Sequence, residues 1–274
     1  MNNLATRTVS ATVFTIVMLA CLLVNKFLFA ALFLFIMVTM MVEFYRMTIK
    51  DGFRLTKALS IAAGIILFAL IFSVCSFGLD ARFVSFALIP VLAVMVSMLY
   101  AWKEESASPA FVMTALMYIA IPVSLVNLMV FRDGDFNAMV LLCFFVIIWC
   151  SDVGAFLLGS TLGKKFDKKL CPAISPKKTW TGFWGGMALA VVVALALKWA
   201  GFLELPLIHC IVLAIIMDVT GVYGDIFESR WKRQCGIKDS GNIMPGHGGM
   251  LDRFDSALFA IPAGAVYMAL ANLF

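Results

Sequence analysis

Long apolar runs dominate this chain, and short polar stretches interrupt them. The runs lie near residues 8–24, 28–45, 58–76, 83–101, 110–131, 136–158, 180–199, 206–228 and 254–273. A helix crossing a bilayer needs about 20 predominantly apolar residues. The pattern therefore predicts an all-α, polytopic integral membrane protein of about nine transmembrane helices. The break between the first two rests on Asn25 and Lys26 alone. No small-x-small cleavage pattern follows the first run, and further spans come after it, so it reads as a helix rather than a signal peptide. Composition agrees: 63% of the 274 residues are hydrophobic and 14% are charged, against about 25% charged in soluble domains.

Charge orients the helices. With the amino terminus inside, 17 of the 21 Lys and Arg residues fall on inner segments and four on outer ones. The positive-inside rule favours that topology, which puts the polar loops 159–180 and 229–253 in the cytoplasm. The net charge of +5 is thus a topology signal first, and a means of meeting anionic lipid headgroups second. No basic soluble domain exists to bind nucleic acid. The seven cysteines are scattered, with no CxxC pair and no Cys/His spacing for zinc, and read as small packing residues.

The two halves differ in chemistry. Residues 1–135, about five spans, hold little: the basic stretch 46–57 is an inside anchor, and Glu43 reads as a side chain snorkelling at a helix end. No internal repeat supports a duplicated transporter. Residues 136–274, about four spans, hold nearly all the candidate chemistry. Asp152 interrupts the run W-C-S-D-V-G-A-F and reads either as a satisfied interhelical partner or as a wall of a polar cavity. The loop after it holds six lysines and ends in S-P-K-K-T-W. Ser175 and Pro176 favour a turn, which sets Lys177 and Lys178 just before a helix amino terminus, where N–H groups already attract anions. Gly182 and Gly186 form a G-x-x-x-G suited to close helix packing.

The longest polar stretch runs from Asp225 to Asp255. Asp225 and Glu228 stand at one end, Asp252 and Asp255 at the other; four basic residues, Asp239, a proline and five glycines lie between. Carboxylates suit a hard cation such as Mg²⁺, Lys and Arg suit phosphate, and glycines let backbone N–H groups approach an anion. Asp218, Gly221, Asp225 and Glu228 follow a spacing that shares one helix face. Three acids on one face of a membrane helix cannot point at lipid. The pattern suggests a site for a metal-bound phosphate compound; a salt-bridge network with Arg230, Arg233 and Arg253 is the alternative.

The order Ser229, Lys232-Arg233, Lys238-Asp239, Gly241, Pro245-Gly246-His247-Gly248-Gly249, Asp252-Arg253-x-Asp255 resembles the signature of the phosphatidate cytidylyltransferases, also called CDP-diacylglycerol synthases. The S-P-K-K-T-W-x-G upstream and the D-x-x-A-x-x-x-G at Asp152 are similar to that family as well. The resemblance covers roughly residues 149–260. Two departures stand out: Thr181 where the family has Glu, and Phe156 where it often has Tyr.

The resemblance implies a reaction of CTP with phosphatidate that yields CDP-diacylglycerol and pyrophosphate at the cell inner membrane. It implies Mg²⁺, with a second cation as an option, held by Asp225 and Asp252 with Asp255 in support. Lys177, Lys178, Lys232, Arg233 and Lys238 would hold phosphates. His247 would assist the leaving pyrophosphate or make an ordinary loop hydrogen bond, and Asp239 would pair with Lys238 or meet the nucleotide. Ser175, Asp152 and Arg253 complete the expected substrate contacts. The expected partners are CTP, phosphatidate, membrane lipids and a second copy of the chain as a homodimer. A CTP-dependent polyprenol or lipid kinase, with the same phosphate machinery but an alcohol acceptor, is the alternative. An ion-coupled transporter using Asp152 and Asp218 is a third reading, disfavoured because the acids cluster at one membrane face.

Overall fold

The structure is a computed structural model describing residues 3–49, 52–100, 108–132, 134–163, 168–244, 246 and 248–273. It divides into two compact units, Met1–Asn137 with Asp239–Arg253, and Ala138–Lys238 with Phe254–Phe274.

The first unit holds α1 (Asn3–Val24), α2 (Lys26–Thr48), α3 (Arg54–Phe77), α4 (Ala81–Tyr100) and α5 (Ala110–Val130). Asn25 does separate α1 from α2: its side-chain oxygen accepts the Phe27 N–H at 2.7 Å and caps α2, as an Asn at that position can. A two-stranded antiparallel ribbon, β1 (Phe131–Arg132) with β2 (Asp135–Phe136), closes this part of the chain. The core is built on α2. Phe29, Phe33, Ile36, Met37, Met40 and Phe44 are all buried and recur at the 3.6-residue period of one helix face. α4 buries little beyond Ala87 and Val94, as expected of a helix turned mainly to lipid. α5 contains a π turn, Leu116–Ala120, ahead of Pro122, where the proline lacks the N–H of a regular helix.

The second unit holds α6 (Met139–Thr161), the hairpin of β3 (Lys169–Cys171) and β4 (Ser175–Thr179), α7 (Trp180–Trp199), α8 (Leu207–Gln234) and, after the short α9 (Leu251–Phe254) of the polar stretch, α10 (Ala257–Leu270). α6 and α7 meet backbone to backbone. A Cβ on Gly154 would stand 2.6 Å from the Gly185 carbonyl oxygen, and one on Gly186 would stand 3.0 Å from that of Ser151. The small residues of α7 therefore serve close packing, the usual device of helices that share a lipid solvent. Gly224 plays the same part between α8 and α10: its Cβ would fall 2.5 Å from the Asp255 carbonyl oxygen.

The all-α polytopic architecture stands; the count of nine spans is met only in part. Among the described residues, seven helices are long and apolar enough to cross a membrane; the apolar part of α1, Thr8–Val24, falls short. α10 has 14 residues, about 21 Å at 1.5 Å per residue, against a hydrocarbon core of about 30 Å. Within the apolar run at 254–273, the long helix starts only at Ala257. α8, in contrast, continues past residue 228 to Gln234, so Ser229, Lys232 and Arg233 lie on a helix and not in a loop. Hydropathy locates the end of the greasy stretch. It does not separate a polar loop from a polar last turn, and Lys232 and Arg233 suit a helix carboxyl end.

Candidate active site

The site of the second unit begins with a cap. Thr179 ends β4 and caps α7: its hydroxyl oxygen accepts the Gly182 N–H at 3.1 Å. Thr181, at the departure from the family pattern, lies with its hydroxyl 3.0 Å from that of Thr179. It supports the cap. The hairpin delivers Lys177 and Lys178 to a cleft of about 390 Å³. α6 contributes Ser151, Asp152 and Gly159 to its walls, α8 contributes Val222 and Asp225, and Phe156 and Phe183 supply apolar surface. Asp152 is thus part of a cavity wall, one of the two readings open from the sequence.

Charge in the cleft is arranged along α8. Lys178 Nζ lies 2.7 Å from Asp225 Oδ2 and donates to the Val222 carbonyl oxygen at 3.4 Å. The Ser229 hydroxyl donates to Asp225 Oδ1 at 3.2 Å. Two turns earlier on the helix, Ser151 Oγ donates to Asp218 Oδ1 at 2.5 Å, while the buried Asp218 Oδ2 has no hydrogen-bond partner. The close approach at Gly224 sets Asp255, between α9 and α10, beside Asp225. Withdrawal from water, then the negative charge of Asp225, push the Asp255 carboxyl up to about 8. Asp152 adds to the rise, while the Ser256 N–H and the Lys232 ammonium oppose it.

Glu228 is withdrawn from water. It is fully buried and forms an ion pair with Lys232, one turn further along α8 and itself buried. Lys232, expected on substrate phosphate, is here a counter-charge among acids.

The polar stretch in the first unit has a different order. Asp252 Oδ2 accepts the Ser240 N–H at 2.9 Å, the Ser240 hydroxyl at 3.1 Å and the Gly249 N–H at 2.7 Å. Glu43 of α2 accepts the Met250 and Leu251 N–H groups, each at 2.9 Å, and the Ser240 hydroxyl at 3.2 Å. It is buried and does not snorkel. The sequence held a signal for it, an acid inside a run of Phe and Met, but that signal does not name a partner 207 residues away.

The other expected residues are more open. Ser175 begins β4 opposite Cys171. Arg233 donates to the Ile237 carbonyl oxygen at 3.2 Å, and Lys238, Asp239 and Arg253 are exposed. His247 lies outside the described residues.

The donor chemistry fits Mg²⁺. Among the described residues no three His, Cys, Asp or Glu side chains gather into a metal cage. Mg²⁺ does not require one: it is usually bound by one or two carboxylates, with waters and substrate phosphates completing the shell. Asp225 and Asp255 stand near each other as hard oxygen ligands, and the Asp218 Oδ2 atom is buried without a hydrogen-bond partner.

Curated relatives carry the name phosphatidate cytidylyltransferase. A phosphatidate cytidylyltransferase of Bacillus subtilis (strain 168) is 48% identical over 117 residues, covering 43% of this chain and 42% of that protein. Phosphatidate cytidylyltransferases of Staphylococcus epidermidis (strain ATCC 12228) and Staphylococcus aureus (strain COL) are 43% and 44% identical over 118 residues, covering 43% of this chain and 44% of each relative. These matches span less than half the length of the curated relatives. The model of the cytidylyltransferase family reaches much further, matching residues 5–271. With an acid- and lysine-lined cleft among membrane helices and a family match along almost its whole length, the chain belongs to the cytidylyltransferase family.

Proposed function

We propose that this protein makes CDP-diacylglycerol and pyrophosphate from CTP and phosphatidate, within phospholipid biosynthesis. The observation behind this reading is the cleft, where Lys177 and Lys178 stand against Asp152 and Asp225, with Phe156 and Phe183 in the same wall. Such a lining suits a ligand with a phosphate head and an apolar body. The names of the relatives point the same way.

The chemistry asks little of a base. An oxygen of the phosphatidate phosphate forms a bond to the α-phosphorus of CTP. The bond from that phosphorus to the bridging oxygen breaks, and pyrophosphate leaves with the electron pair. The barrier lies in bringing two anions together and in stabilising charge at the α-phosphoryl group. Lys177 and Lys178 meet that charge from the hairpin, and Thr179 holds the hairpin against α7. Asp225 and Asp255 would hold Mg²⁺, which when bound neutralises phosphate charge and polarises a phosphoryl oxygen. Lys232 keeps the buried acids of α8 compatible with the fold. Arg233, Lys238, Asp239 and Arg253 provide exposed charge for the nucleotide. His247 would assist the leaving pyrophosphate, Ser175 would meet substrate, and Asp252 stays assigned to the metal, as the family resemblance implies. A second cation, a homodimer, a cytoplasmic orientation of the polar segments and an inner-membrane location belong to the same reading.

Pyrophosphate release that requires both CTP and phosphatidate tests it. Release of CDP with phosphorylation of an alcohol would favour the lipid kinase instead.

Thr181 lies in the cap and not on Asp225, so the missing family carboxylate is a tolerated departure. Thr181→Glu should change turnover by less than about tenfold, a barrier change under about 1.4 kcal/mol. Initial rates for the two proteins measure this, and a larger gain would mean that the native residue limits the enzyme.

A further inference from the structure

We infer that Glu43 is a positioning residue, clamping the polar stretch at Ser240, Met250 and Leu251 so that Asp252 is held in place for the reaction. This deepens the function proposed above and rests on it for the catalytic half of the claim.

A carboxylate buried in a membrane helix is costly unless it is matched. Glu43 is 4% exposed, and its neighbours on α2 include the buried Met40, Met41, Phe44 and Met47. What matches it comes from one short segment far away in the chain. Oε1 accepts the Met250 N–H; Oε2 accepts the Leu251 N–H and the Ser240 hydroxyl. The two N–H groups lie where α9 begins, so they have no carbonyl of their own helix to meet.

The glycines of the segment are shaped to this carboxylate. A Cβ on Gly241 would stand 2.5 Å from Glu43 Oε1, and one on Gly249 would stand 2.6 Å from Oε2. Real side chains cannot approach so closely. The sequence suggested that such glycines admit a phosphate; at these two positions they admit Glu43.

Ser240 links the clamp to Asp252. Its hydroxyl lies 3.2 Å from Glu43 Oε2 and 3.1 Å from Asp252 Oδ2. One proton serves two carboxylates. Asp252 in turn takes the Ser240 and Gly249 N–H groups. Glu43 and Asp252 thus grip one stretch of backbone from two sides, and loosening the first frees the second.

Hydrogen exchange tests the clamp separately from activity, on full-length protein in nanodiscs. Glu43→Gln should raise exchange at the Met250 and Leu251 amides by at least about tenfold while the amides of α3 stay protected. Gly241→Ala, which displaces the carboxylate without removing it, should do the same and guards against a Glu43 variant that does not fold. Turnover per folded molecule should fall at least about tenfold in both, since small misplacements of reacting groups cost that much or more. The KM for phosphatidate should hold, and Glu43→Asp should recover part of the loss. Unchanged exchange in both variants overturns the clamp. Raised exchange with unchanged turnover overturns the positioning role. If the unaltered protein makes no CDP-diacylglycerol, the function proposed above fails, and the exchange result still decides whether Glu43 holds the segment.

Discussion

Asp225→Asn should lower turnover at least about a hundredfold, a barrier rise of about 2.7 kcal/mol, while the protein still inserts and purifies. The amide keeps the shape of the carboxylate and can still accept the Ser229 hydroxyl. It removes the negative charge that balances Lys178 and that would bind Mg²⁺ together with Asp255. Asp255→Asn should have an effect of similar size. The double variant should be little worse than either single one, because groups that act as a unit are not additive. A purely structural salt-bridge role gives another pattern: lower yield of folded protein, with near-normal activity in each surviving molecule. Yield and rate per folded molecule, measured for the three variants, separate the two. Near-normal rates in both single variants would remove the metal assignment.

Glu228→Leu should cost about 3–5 kcal/mol of stability, the usual price of leaving one partner of a buried ion pair unmatched. Lys232 would remain on α8 with its ammonium withdrawn from water and its nearest carboxylate gone. Adding Lys232→Met should restore most of the loss, since an apolar pair of similar volume has no charge to solvate. Unfolding midpoints in detergent for the two single variants and the double one measure this. If Lys232 also serves the reaction, the double variant folds well and turns over poorly. Equal midpoints for the unaltered protein and Glu228→Leu would show that the pair contributes nothing to stability.

Much of the architecture was legible because the bilayer imposes one rule on every span. Runs of twenty greasy residues have few alternatives, so α2, α3 and α5 to α8 fall near their expected places. The ends were not legible, because the same rule says nothing about a helix after it leaves hydrocarbon. Hence α8 runs on to Gln234 and the last helix starts late, at Ala257.

The site shows the same division. Lys177, Lys178, Asp152 and Asp225 were readable as polar residues in local patterns, and they share one cleft. Their partners depend on packing that no local pattern contains. Gly224 lets α10 approach α8, which sets Asp255 beside Asp225. The family resemblance assigned Lys232 to phosphate; the helical turn that pairs it with Glu228 is a contact that assignment does not contain. Glu43 was passed over because its three donors come from the far end of the chain.

The central claim is that a cytidylyl group, and not a phosphoryl group, moves onto the lipid. The most direct test uses CTP carrying phosphorus label at either the α or the γ position, with purified protein, phosphatidate and Mg²⁺. Lipid-soluble label should come from α-labelled CTP, with the γ label leaving as pyrophosphate. Lipid-soluble label from γ-labelled CTP, or none from α-labelled CTP, would contradict it.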